Sequence, residues 1–136
     1  MAPPHVHRVR FGDVDRAGIA YYPRIFHWFH VAFEEWFEAG TGIPYRALIE
    51  DRRVGFPAVK VETEFLSPLR FGDEVAFTVS VERVGGSSVL FGYAARNRTT
   101  GKDAVRARVT CACVDMGTFR PIRVPEDLRT LFGRSG

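Results

Sequence analysis

The chain has 136 residues, 46% of them hydrophobic and 26% charged, with a formal net charge of +3. That is the size of one domain able to bury a real core. No apolar run approaches the roughly 20 residues needed to cross a bilayer. The start of the chain, Met1 to Phe11, has no apolar stretch of the secretory kind, so cytoplasmic residence is the expectation. The arginines are scattered, and Arg52-Arg53 is the only adjacent basic pair, which argues against the concentrated basic face of a nucleic-acid binder. No linker or low-complexity segment divides the chain, so residues 1–136 read as a single domain.

His5 to Arg10 alternates and predicts a first strand. His5 and His7 share one face of it, where a metal pair competes with the plainer reading of exposed strand positions. An acidic loop follows, with Asp13, Asp15 and Gly18, and then the pair Tyr21-Tyr22. Pro23 suits the first turn of a helix, where its missing N–H would have no partner. The helix is predicted from Pro23 to Ala39, stopped by Gly40 and Gly42. Ile25, Phe26, Trp28, Phe29, Ala32, Phe33, Trp36 and Phe37 cover well over half its circumference, while His27, His30, Glu34 and Glu38 form one polar stripe. More aromatic surface is presented than one sheet can cover, which predicts a homo-oligomer, a dimer or a tetramer.

Pro44 opens a second, short helix within Ile43–Arg53. From there the period is two. Strands are predicted at Val59–Phe65, Val75–Val81, Val89–Ala95 and Val105–Cys113, separated by turns at Phe71-Gly72-Asp73, Gly85-Gly86-Ser87 and Thr99–Lys102. Cys111 and Cys113 sit two apart on one face and read as core. Pro125 starts a last helical turn through Leu131 and Phe132. The order is α+β: an antiparallel sheet of about five strands wrapped around one long central helix.

The chemistry concentrates in Phe11–Pro23. There a carboxylate lies against a helix N-terminus, whose free N–H groups favour negative charge. A developing oxyanion would be stabilised at such a place. Asp13 reads as a turn or capping residue, and Asp15 taken alone would read the same way.

The run F-G-D-x-D-x-A-G-I-x-x-Y-P over Phe11–Pro23 resembles the signature of the hotdog-fold acyl-CoA thioesterases, in the 4-hydroxybenzoyl-CoA thioesterase branch. The segment Pro68-Leu69-Arg70-Phe71-Gly72-Asp73 before an alternating strand is similar to the same pattern. The resemblance covers about His5 to Val114. It implies a hotdog fold, hydrolysis of an acyl-CoA, Asp15 as catalytic carboxylate and the Tyr22 backbone N–H as oxyanion donor. It also implies a site between subunits and no metal or cofactor. Asp15 would act as nucleophile or as general base toward water.

Gly18, His30 and Phe56 are the substrate-binding candidates, and Arg83 and Ser88 the coenzyme A-binding ones. His30 stands where hydroxybenzoyl-type members are expected to carry a carboxylate, about 12 Å along the helix from Tyr22. This predicts broad aromatic or medium-chain tolerance with a weak premium on a para-hydroxyl. Arg83 is the only cation of the hairpin Arg83–Ser88, which keeps two alternatives open: acyl carrier protein as the carrier, or a non-catalytic acyl-thioester-binding module.

Overall fold

The structure is a computed structural model that describes residues 2–135. Strand β1 (His5–Arg8) leads through a 3-10 turn at Phe11–Asp13 and a loop into α1 (Tyr22–Thr41). Then come α2 (Tyr45–Glu50), β2 (Val54–Gly55), β3 (Ala58–Phe65), β4 (Glu74–Val84), β5 (Ser88–Asn97), β6 (Lys102–Ala112), β7 (Val114–Asp115) and α3 (Glu126–Ser135). Five strands form one antiparallel sheet in the order β1-β4-β5-β6-β3, while β2 and β7 make a separate two-stranded ladder. With α1 laid across the sheet, this is the hotdog architecture.

Helix α1 extends the predicted Pro23–Ala39 by a residue before and two after. Gly40 does not stop it. Gly42 does, in the left-handed conformation with φ 78°, its N–H donating to the Glu38 carbonyl. Gly40 instead lets α3 come close, since a Cβ there would meet Leu131 Cδ1 at 2.8 Å. The apolar stripe is covered more fully than expected. Phe29 contacts Phe77 of β4 and Tyr93 of β5 (5.5 and 5.2 Å between centroids), and Phe33 meets Phe91 and Tyr45 at 5.1 Å each. Trp36 stacks on Phe132 of α3 at 5.8 Å. The last helical turn of the sequence reading is thus a ten-residue helix that closes the end of the core.

The apolar surface left uncovered lies elsewhere, on β3. Val61, Thr63 and Phe65 pair with Val109, Ala107 and Val105 of β6, so they continue its core-facing side. Yet Val59, Val61 and Phe65 are 65%, 49% and 56% exposed. The predicted alternation is present, but α1 meets this edge of the sheet at its Phe65 end, where Phe26 lies edge-on at 6.5 Å between centroids, and leaves much of the strand's apolar face open. The histidines of β1 also differ from the expectation of exposed positions. Both are half-buried and both contact carboxylates, His5 with Glu35 and His7 with Asp13, at 3.0 Å each. Cys111 and Cys113 are buried as predicted. No helix among the described residues is long and apolar enough to cross a membrane.

Candidate active site

The loop between β1 and α1 is fixed from both ends. In the 3-10 turn, Asp13 Oδ2 accepts the Arg10 N–H at 2.8 Å and faces His7 Nε2 at 3.0 Å. Its backbone carbonyl accepts the Tyr21 N–H at 2.8 Å. Burial by itself would raise the Asp13 pKa. The Arg10 N–H, the His7 ring and the Arg24 guanidinium outweigh it and hold the carboxyl below its ordinary value. Asp13 is therefore a structural acid, 7% exposed.

Asp15 is exposed and points the other way. Its N–H donates to the Ile19 carbonyl and its carbonyl accepts the Gly18 N–H, both at 2.9 Å. Gly18 closes this small hairpin at φ 80°, a conformation that a side chain would strain. Asp15 Oδ1 accepts the Ala17 N–H at 2.8 Å, which fixes the carboxylate. Oδ2 has no partner among the described residues. The far side of the loop is tied to the segment before β4, through an Ile19–Arg70 bridge and an Ala20 N–H to Leu69 carbonyl bond of 2.7 Å.

Helix α1 starts without a capping side chain. Its N-cap, Tyr21, contributes no side-chain bond, and Pro23 has no N–H to offer. The Tyr22 N–H donates to no atom among the described residues, so the positive end of the helix is open to a ligand. Asp15 and Tyr22 line one cavity of about 420 Å³. Its walls are apolar: Ile19 from the loop, Ile25 from α1, Leu69, Val105 from β6, and Phe65 and Leu66 from the end of β3. A carboxylate and an unpaired helix N–H at the mouth of an apolar recess is what attack on an uncharged carbonyl requires.

The other candidates stand apart from this cavity. His30 is 56% exposed and pairs with Glu34 at 3.0 Å, its ring against Phe33 and Tyr45. Eight residues advance a helix about 80° beyond two full turns, so His30 lies about a quarter turn round from Tyr22 and does not line the cavity. The axial distance of about 12 Å holds, but the direction does not. Phe56 is buried at 7% among Phe91 and Phe132, where it serves the core. Ser88 pairs with Ala112 of β6, seven residues from the cavity residue Val105 (112 − 105 = 7). At the rise of an extended strand that is about 24 Å, so the hairpin bearing Arg83 and Ser88 sits at the opposite end of the sheet in this chain. The walls from β3 to Leu69 were not singled out from sequence. They run from the end of β3 into the start of the Pro68–Asp73 segment, whose link to the acidic loop is a long-range bridge that no local pattern announces.

A family model described as thioesterase-like superfamily matches residues 9–132. The chain belongs to that superfamily. Among curated members, it is 25% identical over 125 residues to the acyl-CoA thioesterase YbgC of Haemophilus influenzae, covering 92% of this chain and 90% of that one. It is 26% identical over 121 residues to a 1,4-dihydroxy-2-naphthoyl-CoA hydrolase of Nostoc punctiforme, covering 88% and 79%. Among solved structures, a gentisyl-coenzyme A thioesterase superimposes with a TM-score of 0.79 at 27% identity, over 92% of this chain and 98% of that one. Membership and the superposition agree with the fold described above.

Proposed function

We propose that the protein hydrolyses an acyl-CoA thioester to the free acid and coenzyme A. The acyl group is an aromatic, benzoyl-type one or a short- to medium-chain one. The reaction class, thioester hydrolysis, is that of the superfamily. The residue roles and the acyl group are our reading. What carries it is the sharing of one apolar cavity by the free Asp15 oxygen and the unpaired Tyr22 N–H.

In this reading the acyl group enters the recess and its carbonyl oxygen lies at the Tyr22 N–H. Asp15 either attacks the carbonyl carbon, expelling the thiolate and leaving a mixed anhydride that water cleaves, or removes a proton from the attacking water. In both routes negative charge develops on the carbonyl oxygen, where the N–H and the helix dipole oppose it. Loss of such a donor typically costs about 3–4 kcal/mol in the barrier. The apolar walls favour an uncharged acyl group. An aromatic one is also supported by the relatives named for naphthoyl and gentisyl thioesters.

The cavity borders the uncovered edge strand, since Phe65 and Leu66 of its wall are 56% and 44% exposed. We place the working assembly as a homodimer at least, with a second copy covering that edge. The test of function is a panel of aromatic and aliphatic acyl-CoAs followed by thiol release. The protein's own thiols do not interfere, because burial pushes Cys111 and Cys113 up to about 11 and keeps them protonated. Turnover concentrated on a few aromatic or medium-chain members is expected. A folded oligomer with no turnover on any of them overturns the reading in favour of a binding module, and turnover only on acyl carrier protein thioesters would replace the carrier.

A further inference from the structure

The tetrapeptide Arg-Phe-Gly-Asp occurs twice, at Arg10–Asp13 and Arg70–Asp73, and closes the same pair of hydrogen bonds both times, through a 3-10 turn in the first copy and a turn with Gly72 at φ 91° in the second. In each copy the aspartate Oδ2 accepts the N–H of the arginine three residues back, at 2.8 and 2.9 Å. In each the aspartate N–H returns to the arginine carbonyl at 3.0 Å. The two turns are joined by Val9, whose N–H donates to the Asp73 carbonyl at 2.8 Å and whose carbonyl accepts the Gly72 N–H at 2.9 Å. Both carboxylates are nearly buried, 7% and 8% exposed.

The copies differ in what else holds the carboxylate. Asp73 receives the amide of the fully buried Asn97 at 2.8 Å. Asp13 meets His7 Nε2 at 3.0 Å instead, with Arg24 Nη1 at 3.9 Å on its other oxygen. Both copies adjoin cavity residues, the second through Leu69 and the Ile19–Arg70 bridge, but only the His7 copy leads directly to Asp15 and Tyr22. The carbonyl of Asp13 takes the Tyr21 N–H, one residue before the open N–H of Tyr22, and Asp15 follows Asp13 by two. Whatever orients Asp13 therefore orients both working groups.

We propose that His7 is a positioning residue of the site, holding Asp13 so that the Asp15 carboxylate and the Tyr22 N–H stay aligned across the cavity mouth. The proposal rests on the function given above. His7 is itself held: its ring lies on Trp28 of α1 at 4.4 Å between centroids, and its backbone position pairs with Val75 of β4. The charged groups that face it are Asp13 and, behind that, Arg24. Its strand neighbours are engaged elsewhere, His5 with Glu35 and Arg8 with Glu74. The Nε2–H is present in the imidazolium and in one neutral tautomer, so the contact survives through neutral pH. In the second copy it is a neutral amide donor, that of Asn97, that meets the corresponding carboxylate.

The test compares wild type, His7→Ala and His7→Gln by residue-resolved amide exchange of the ligand-free protein, and by kcat and KM on the best acyl-CoA of the panel. In His7→Ala the Tyr21 amide should exchange about tenfold faster while mid-helix Phe33 stays unchanged, as expected for a lost bond to a buried charge. For the same reason kcat should fall about tenfold with KM within about twofold. His7→Gln, which returns an amide donor, should restore both. The proposal is overturned if Tyr21 exchange is unchanged, if Phe33 accelerates equally, if the loss appears in KM alone, or if Gln is as impaired as Ala. Should wild type turn over no acyl-CoA, the functional reading falls, and the exchange measurement still decides whether His7 holds the loop.

Discussion

Asp13 and Asp15 stand two residues apart with opposite surroundings, and that contrast governs the site. Asp13 is shielded and bonded to the Arg10 N–H, while Asp15 keeps one oxygen free. Asp13→Asn should cost about 2 kcal/mol at neutral pH, because a buried acceptor loses charge-assisted bonds. The pH dependence follows from the lowered pKa of Asp13, whose ordinary value is 3.8. A carboxyl depressed in the folded state stabilises fully above its unfolded value, and that contribution disappears as pH falls through the folded one. The stability gap between wild type and Asp13→Asn should therefore be flat above pH 5 and shrink below the ordinary carboxylate range, as read by denaturant midpoints at stepped pH. In the sequence the two acids read alike as turn residues, and only the motif resemblance singles out Asp15. Neither reading says anything of His7 and Arg24, because those contacts are made across the fold rather than along the chain.

At the scale of elements, α1 was the most legible part of the chain and also the source of the largest misdirection. Its apolar period is strong enough to fix the helix within two residues at each end. Phe33 sits where sheet and α2 meet it, 3% exposed, so Phe33→Ala should cost about 4 kcal/mol, measured by equilibrium unfolding. The polar stripe was harder to read. Spacing alone brings His30 to the right axial distance, but the rotation of the helix turns it toward Glu34 and solvent. His30→Ala should consequently leave the kcat/KM ratio between 4-hydroxybenzoyl-CoA and benzoyl-CoA within about twofold of wild type. A collapse of that ratio would return His30 to the site, through an assembly that brings it against a cavity. Helix α3 was only half seen, since Leu131 and Phe132 mark one turn while the partner they cover, Trp36, lies far back in the sequence.

At the scale of the whole molecule, the alternation of β3 was legible and its consequence was not. The sequence pattern marks Val59, Val61 and Phe65 as inward-facing, but only the assembled sheet shows that they stay largely exposed, with Phe26 of α1 touching Phe65 alone among the described ring contacts. The largest uncovered apolar strand surface thus lies at a sheet edge rather than on the central helix, where the aromatic count had placed it. A long, exposed, apolar edge strand invites pairing with another chain. Light scattering should give a dimer or a multiple of it at micromolar concentration. Val61→Lys, which places a charge on that strand, should release folded monomer and lower activity by uncovering the Phe65 wall. A wild-type monomer of full activity would refute the shared-edge assembly.

The most direct measurement of the central claim is Asp15→Asn on the intact protein, with kcat on the preferred acyl-CoA set beside the Kd of a non-hydrolysable analogue. The account predicts that kcat falls at least about a hundredfold while Kd stays within about threefold, since the carboxylate acts on the reacting carbon and contributes little to holding the acyl group. An Asp15→Asn protein that turns over at the wild-type rate, or one whose entire loss lies in binding, would contradict it.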